Sequence, residues 1–422
     1  MQKKILVLCF CLALLAGSAC AETVAPMPGH NLEYRCTLPD GRMILTGTKW
    51  ADKGEYQAWN AWMVCLNRDK TVSWEYVGPE VGEPLWFDDA AALADGTIAA
   101  RYDVSPIGSS YHAIWFFTAD GEKLEKTFRL QDGTGYRAKL QPSFLITQRE
   151  VPYGDLTEVR DWEGNKLLTY NEIGLTAASG WWTDGDELTV YGHGEPETHR
   201  AKIVKLDGLS DKVLWSTELE LQWKDSEDAD LLQAVKTPDG GYAALLREQK
   251  SEWWSGEWYS SYAVIKLDAE GRVQWIRKLA EKDEGEYYLC AYKGKIVVLY
   301  DPREEMDKPQ VLRWFDGEGN ETGRTELALK PEYFPAMAGK TAPKSKKIPR
   351  VAHVNTIRLI PAEDGLWAYV TAYLADYHKA DNELAMVADS QDAIMIRVEE
   401  PLPCNKGRRT NVRRNSFSHM YR

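Results

Sequence analysis

Short apolar runs alternate along this chain with polar breaks rich in Asp, Asn and Gly. The clearest instance is SYAVIKLDAEGRVQWIRKL, residues 261–279. Asx side chains bond the nearby backbone and glycine accepts a positive φ, so each break closes a tight turn and its flanking runs form a β-hairpin. Aligned on the break, weaker copies place Asn67 in VCLNRDKTVSWEY, Thr118 in WFFTADGEKLEKTF and Asp161 in EVRDWEGNKLLTY. Asp207 follows in IVKLDGLSDKVLWS, then Asp268 in the phrase itself and Asp316 in LRWFDGEGNETGRT. The intervals run from 43 to 61 residues.

A second strand pair precedes each hairpin. LLQAVKTP and YAALLREQ are joined by Asp239-Gly240-Gly241, EYRCTLP and RMILTGT by Asp40-Gly41, and AAALA and TIAARY by Asp95-Gly96. Four short strands at this spacing make one propeller blade. Runs such as YAALL and KIVVLY lack in-out alternation, as expected of sheets covered on both faces. No helical period competes. The pattern therefore predicts an all-β fold, a β-propeller of seven blades with four antiparallel strands each. Units start near residues 33, 87, 138, 178, 230, 286 and 353, in one repeat domain over 22–403. The last unit lacks its outer strand. Three arrangements remain open: the segment from Thr23 to Tyr34 supplies it, the tail supplies it, or the natural end was lost.

The phrase KLDGLSDKVLW resembles the repeat of pyrroloquinoline-quinone-type propellers, a form shared with WD40-like repeat proteins. VIKLDAEGRVQW resembles repeats of secreted bacterial propeller proteins of unassigned function. The resemblance covers the hairpin half of most units and implies architecture alone. The family's threonine is absent, and its tryptophan stands only at Trp74, Trp215 and Trp275. Quinone or metal ligands are not carried over.

Composition adds a compartment. Lys3 and Lys4 precede the apolar run Ile5 to Ala16, and Ala19-Cys20-Ala21 has the small-x-small form of a signal peptidase site. Residues 1–21 read as a leader, so the chain is expected to be secreted or in the cell envelope. A lipid anchor at Cys20 is the lesser alternative, because Gly17 stands where an aliphatic residue belongs. No later run is long enough to span a membrane. Cys36, Cys65, Cys290 and Cys404 remain, as up to two disulfides or as buried thiols. A net charge of −13 argues against nucleic acid as partner. The tail 404–422 is basic.

Turns A–B and C–D are short, whereas the B–C and D–A connections are long, so one face of the ring is decorated. Long connections on a rigid scaffold are where binding residues gather. SEWWSGEWYSSY carries Trp253, Trp254, Trp258 and Tyr259, rings suited to stacking on sugars or anchoring a protein, or else to plugging a gap between blades. Trp59 poses the same choice. Tyr111 with His112, His193, and Tyr377 with His378 lie in the other long connections. His193 and His199 flank Glu195 and Glu197, but their spacing is not that of a helical zinc motif, and the loop reads as solvated surface. No metal centre or other cofactor is predicted. Calcium, if bound, would sit in the acidic runs 224–230 or 281–286. The Pro-rich stretch 330–350 reads as a mobile basic excursion.

Two functions follow. The favoured one is a secreted, non-enzymatic propeller that binds a glycan or a protein partner through its aromatic loops. The other is a glycan hydrolase or lyase with acid and base among His112, His193, His378 and the loop carboxylates.

Overall fold

The computed structural model describes residues 24–401 apart from 28–31, 53–56, 79–84, 105–110, 130–136, 144, 152–153, 170–172, 174, 176, 185–186, 195–197, 208–211, 225, 253–256, 284, 303–305, 307, 341–349 and 381–382. The leader, Cys404 and the basic tail lie outside the described residues. Seven four-stranded antiparallel sheets span 32–77, 85–129, 137–169, 177–218, 228–283, 286–327 and 350–398. In the first six, spatial order follows the sequence, and we call the strands A to D. The first strands of neighbouring sheets lie against one another, so strand A rings a central channel and strand D forms the rim.

The seventh sheet settles how the ring closes. Its fourth strand is Val24–Pro26, which pairs with Glu383–Val398, setting Val24 opposite Ile396 and Pro26 opposite Ile394. Met27 N continues the ladder to Ala393 O at 3.0 Å. Proline is tolerated here because an edge strand has one side free of ladder bonds. The leading segment, rather than the tail, completes the blade.

Each blade is too thin to hide its own apolar faces, and the core is divided accordingly. Seven apolar clusters are found, one in each seam between neighbouring blades. In KIVVLY, Ile296 and Val298 face blade five while Val297 and Leu299 face blade seven. Adjacent residues thus enter different seams, both dry, and the missing alternation is explained.

The recurrent tryptophan ties successive blades together. Trp74 Nε1 donates to Ala119 O at 3.0 Å, Trp215 Nε1 to Ala269 O at 3.0 Å and Trp275 Nε1 to Gly317 O at 2.8 Å. Each acceptor lies in the C–D turn of the next blade. In blade one that turn has no glycine at its left-handed position, and Lys70 adopts φ 70° there.

Three further expectations are decided. Cys36, Cys65 and Cys290 are free thiols. Cys36 and Cys65 both face Ile44 from opposite sides of the sheet ladder. Two strand spacings, about 9.5 Å, therefore separate them, too far for a disulfide. The stretch 330–340 is not a mobile excursion. Phe334 and Met337 are fully buried in the seam of blades six and seven, and Ala336 N donates to Asp392 Oδ2 at 2.6 Å. Its basic part, 341–349, lies outside the described residues. Among the described residues no helix is long and apolar enough to cross a membrane.

Candidate functional site at the channel mouth

The long connections of the decorated face are largely ladder-paired arms rather than loose loops. Strands B and C of blade one stay paired out to Asp52 opposite Gln57, those of blade five to Glu252 opposite Glu257, and those of blade seven to Ala380 opposite Glu383. Trp59 stands opposite Trp50, Trp258 opposite Ser251, Tyr111 opposite Val104, His112 opposite Asp103, Tyr377 opposite Met386 and His378 opposite Ala385. For these six residues the strand position is described and the side chain is not. Trp253 and Trp254 lie outside the described residues. Tyr259 is half-buried, opposite Lys250. The described candidates are carried by the arms of blades one, two, five and seven, and among the described side chains His193 lies against His199 and Asp228.

Below the arms the channel opens into a cavity of about 830 Å³ across the strands of blades four to seven. A second, of about 320 Å³, reaches blades one and two, and both share Asn355 and Thr356 of blade seven. The larger wall is polar and rich in tyrosine. Tyr262 and Tyr287 meet with ring centroids 4.4 Å apart, and Tyr287 and Tyr300 at 5.0 Å. Tyr287 donates its hydroxyl to Asp283 Oδ2 at 2.8 Å and Tyr300 donates to Asp283 Oδ1 at 3.3 Å, while Gly285 N donates to the same oxygen at 2.8 Å. Tyr288 donates to Glu286.

These hydroxyls are donors and not bases. Burial, and then the Asp283 carboxylate, pushes Tyr287 far above the usual phenol range. Burial likewise pushes Tyr191 and Tyr288 up to about 12. Arg247 also lines the cavity, its guanidinium 3.7 Å from Asp230 Oδ2, and its Nε is enclosed with no acceptor. An enclosed donor without an acceptor is costly and favours a ligand that brings one. Burial raises the Asp230 carboxyl, against the pull of Ser179, which donates to it at 2.7 Å.

Sequence reasoning missed Tyr262, Tyr287, Asn355 and Arg247, which lie inside strands rather than in the long connections. A signal was present. EYYLCAY and VNTIRL place polar or tyrosine positions in inner strands, where Tyr287, Asn355 and Arg358 line the cavity and Tyr287 packs also in the seam of blades five and six. Asp283 was flagged, but only as part of an acidic run.

At the rim of the same mouth, His193 is half-buried at the end of strand B of blade four. Its loop folds back, so that His193, His199 and Asp228 converge within 4.8 Å. Of the described residues of this loop, His193 is half-buried and His199 is exposed. Glu195 and Glu197 lie outside the described residues.

No family model matches the chain, and no curated protein matches it. Among solved structures it is similar to the β-propeller domain of the Trilobed protease from Pyrococcus furiosus, with 13% identity over 72% of this chain and 85% of that one and a TM-score of 0.39. It is similar to the WD40 domain of SCAP from fission yeast, with 10% identity over 89% and 98% and a TM-score of 0.36. It is similar also to quinohemoprotein alcohol dehydrogenase from Comamonas testosteroni, with 9% identity over 88% and 76% and a TM-score of 0.38. The fold is a β-propeller. The chain spans about half the length of the prolyl oligopeptidases it also matches, 46% for that of Galerina marginata. At these identities the likeness concerns architecture alone.

Proposed function

We propose that the chain is a secreted, non-enzymatic propeller that binds a glycan in the decorated mouth of its channel. The observation that carries this reading is the Tyr262–Tyr287 pair facing a polar cavity beside the unsatisfied Arg247 Nε. Sugars are held by aromatic surface and dense hydrogen-bonding groups around it; this wall offers the exposed fraction of two largely buried rings within a polar lining. Its volume falls in the range of small-molecule sites, roughly 300–1,000 Å³. The strands carrying Trp59 and Trp258 extend beyond it, where a longer chain would run.

Catalysis is the weaker reading. The two carboxylates of the wall, Asp283 and Glu286, are each engaged by a tyrosine hydroxyl. A glycosidase needs one carboxyl free to donate its proton and another free to attack or to activate water.

A glycan array followed by calorimetry tests the proposal with three proteins: wild type, a Tyr262→Ala/Tyr287→Ala variant and a Trp253→Ala/Trp254→Ala/Trp258→Ala variant. Binding by wild type that falls at least about tenfold in the tyrosine variant supports the channel site, since truncating an aromatic binding hot spot costs about 2 kcal/mol or more. Binding unchanged in that variant overturns it. Release of reducing ends by wild type overturns the non-enzymatic part.

A further inference from the structure

The B–C connection of blade four is closed on itself and tied to the next blade. Gly194 N donates to Arg200 O at 2.8 Å, and Ala229 N, in strand A of blade five (Asp228–Lys236), donates to His199 O at 3.0 Å. His199 holds φ at 51°, a left-handed conformation that few non-glycine residues adopt. The fold-back sets His193 Nδ1 3.4 Å and His199 Nδ1 3.8 Å from one atom, Asp228 Oδ1. That oxygen is shielded from solvent and accepts no hydrogen bond. An enclosed carboxylate oxygen in that state is costly unless a cation faces it.

We propose that His193, His199 and Asp228 form a site for a zinc-class divalent metal, which clips the blade-four loop to strand A of blade five. The separations suit such an ion. Nitrogen and oxygen ligands at about 2.0–2.2 Å from a tetrahedral zinc stand roughly 3.4 Å from each other. Two imidazoles with one carboxylate are donors for zinc, cobalt, nickel or copper, whereas calcium takes six to eight oxygens. His193 has two ways to take part. Its Nδ1 can ligate directly, or Nε2 can ligate while Nδ1–H donates to Ala229 O, 3.1 Å away, as metal-bound imidazoles commonly do with a backbone carbonyl.

His199 is 60% exposed, so the outer side of the cluster is open and leaves a coordination position for water or a ligand. The site also abuts the channel. Asp230, two residues beyond Asp228, accepts from Ser179, which lines the larger cavity. The metal would thus fix the rim of the mouth. This inference stands whether or not a glycan binds there.

The test uses untagged, chelator-stripped protein titrated with zinc by calorimetry and with Co²⁺ by visible absorption. One equivalent of metal, a rise in Tm with zinc and tetrahedral cobalt bands are expected. Asp228→Asn and His199→Ala should each weaken zinc at least about tenfold and abolish the bands. His199→Cys, which keeps a ligand, should retain them and add a thiolate charge-transfer band, so that a folding defect is told apart from ligand loss. Absence of heat and bands in wild type overturns the site, as does unchanged zinc affinity in Asp228→Asn.

Discussion

The ring of Trp275 lies over Gly319 of the following blade, and a Cβ at Gly319 would come within 2.7 Å of the indole. Gly319 has φ 78°, and Trp275 Nε1 donates to Gly317 O two residues away. Gly121 under Trp74 and Gly271 under Trp215 repeat the arrangement. The turn glycine therefore has two duties, a backbone conformation and a seat for an indole.

Gly319→Ala separates them when compared with Gly294→Ala. Gly294 has φ 75° with nothing within 4 Å of the added carbon. Its alanine variant should lose only the left-handed penalty, about 1–2 kcal/mol. Gly319→Ala should lose that and displace the indole from its hydrogen bond, for a total of about 2–4 kcal/mol. Urea denaturation of both variants measures the gap. Equal losses would mean the indole contact contributes nothing.

This docking also shows why the fold was legible. Trp74, Trp215 and Trp275 recur seven or eight residues after the start of a turn because each must reach the neighbour's turn, and that demand leaves a phase in the sequence. Closure left no such phase. Val24–Pro26 is too short to carry a pattern, and its partner is found some 370 residues later. The candidate site was less legible still. Side chains from four blades meet only once the ring is closed, so Tyr262 in strand C of blade five and Tyr287 in strand A of blade six look like ordinary strand residues in sequence. The long connections point instead to Trp258 and His112, which lie in strands of different blades. His193 and His199 were visible as a pair, but their third partner, Asp228, comes from the next blade and is joined to them by a fold-back that no local spacing encodes.

Stability should depend on pH through Asp89. In strand A of blade two (Leu85–Ala92) its carboxylate accepts from Leu140 N at 2.8 Å, across the seam to blade three, and from Ala90 N at 3.0 Å. Burial nevertheless outweighs these bonds and raises its pKa above the ordinary 3.8. A raised pKa in the folded state means that the fold holds the proton more tightly than the unfolded chain does. Its stabilising contribution is complete below the unfolded value and is lost as pH climbs through the folded one. Asp89→Asn keeps an acceptor and cannot ionise. It should match wild type near pH 3 and exceed it in urea midpoint at pH 7. A variant less stable than wild type at pH 7 would show that the ionised carboxylate is the favoured form.

The closing strand offers a test of the ring itself. A cut after Ala21, the position the sequence predicts for leader removal, keeps Val24–Pro26, whereas deletion through residue 27 removes it. Deletion also removes Met27, which is buried in the seam of blades seven and one. Losing a buried methionine alone costs about 2–5 kcal/mol. The strand Glu383–Val398 would then become an uncovered edge, free to pair with another copy. The shortened protein should therefore melt lower and self-associate in light scattering. A synthetic peptide of residues 22–31 added in trans should restore both properties, because it supplies the missing ladder without changing anything else. If the shortened protein melts like the longer one and stays monodisperse, blade seven holds with three strands and the ring does not depend on its fastening.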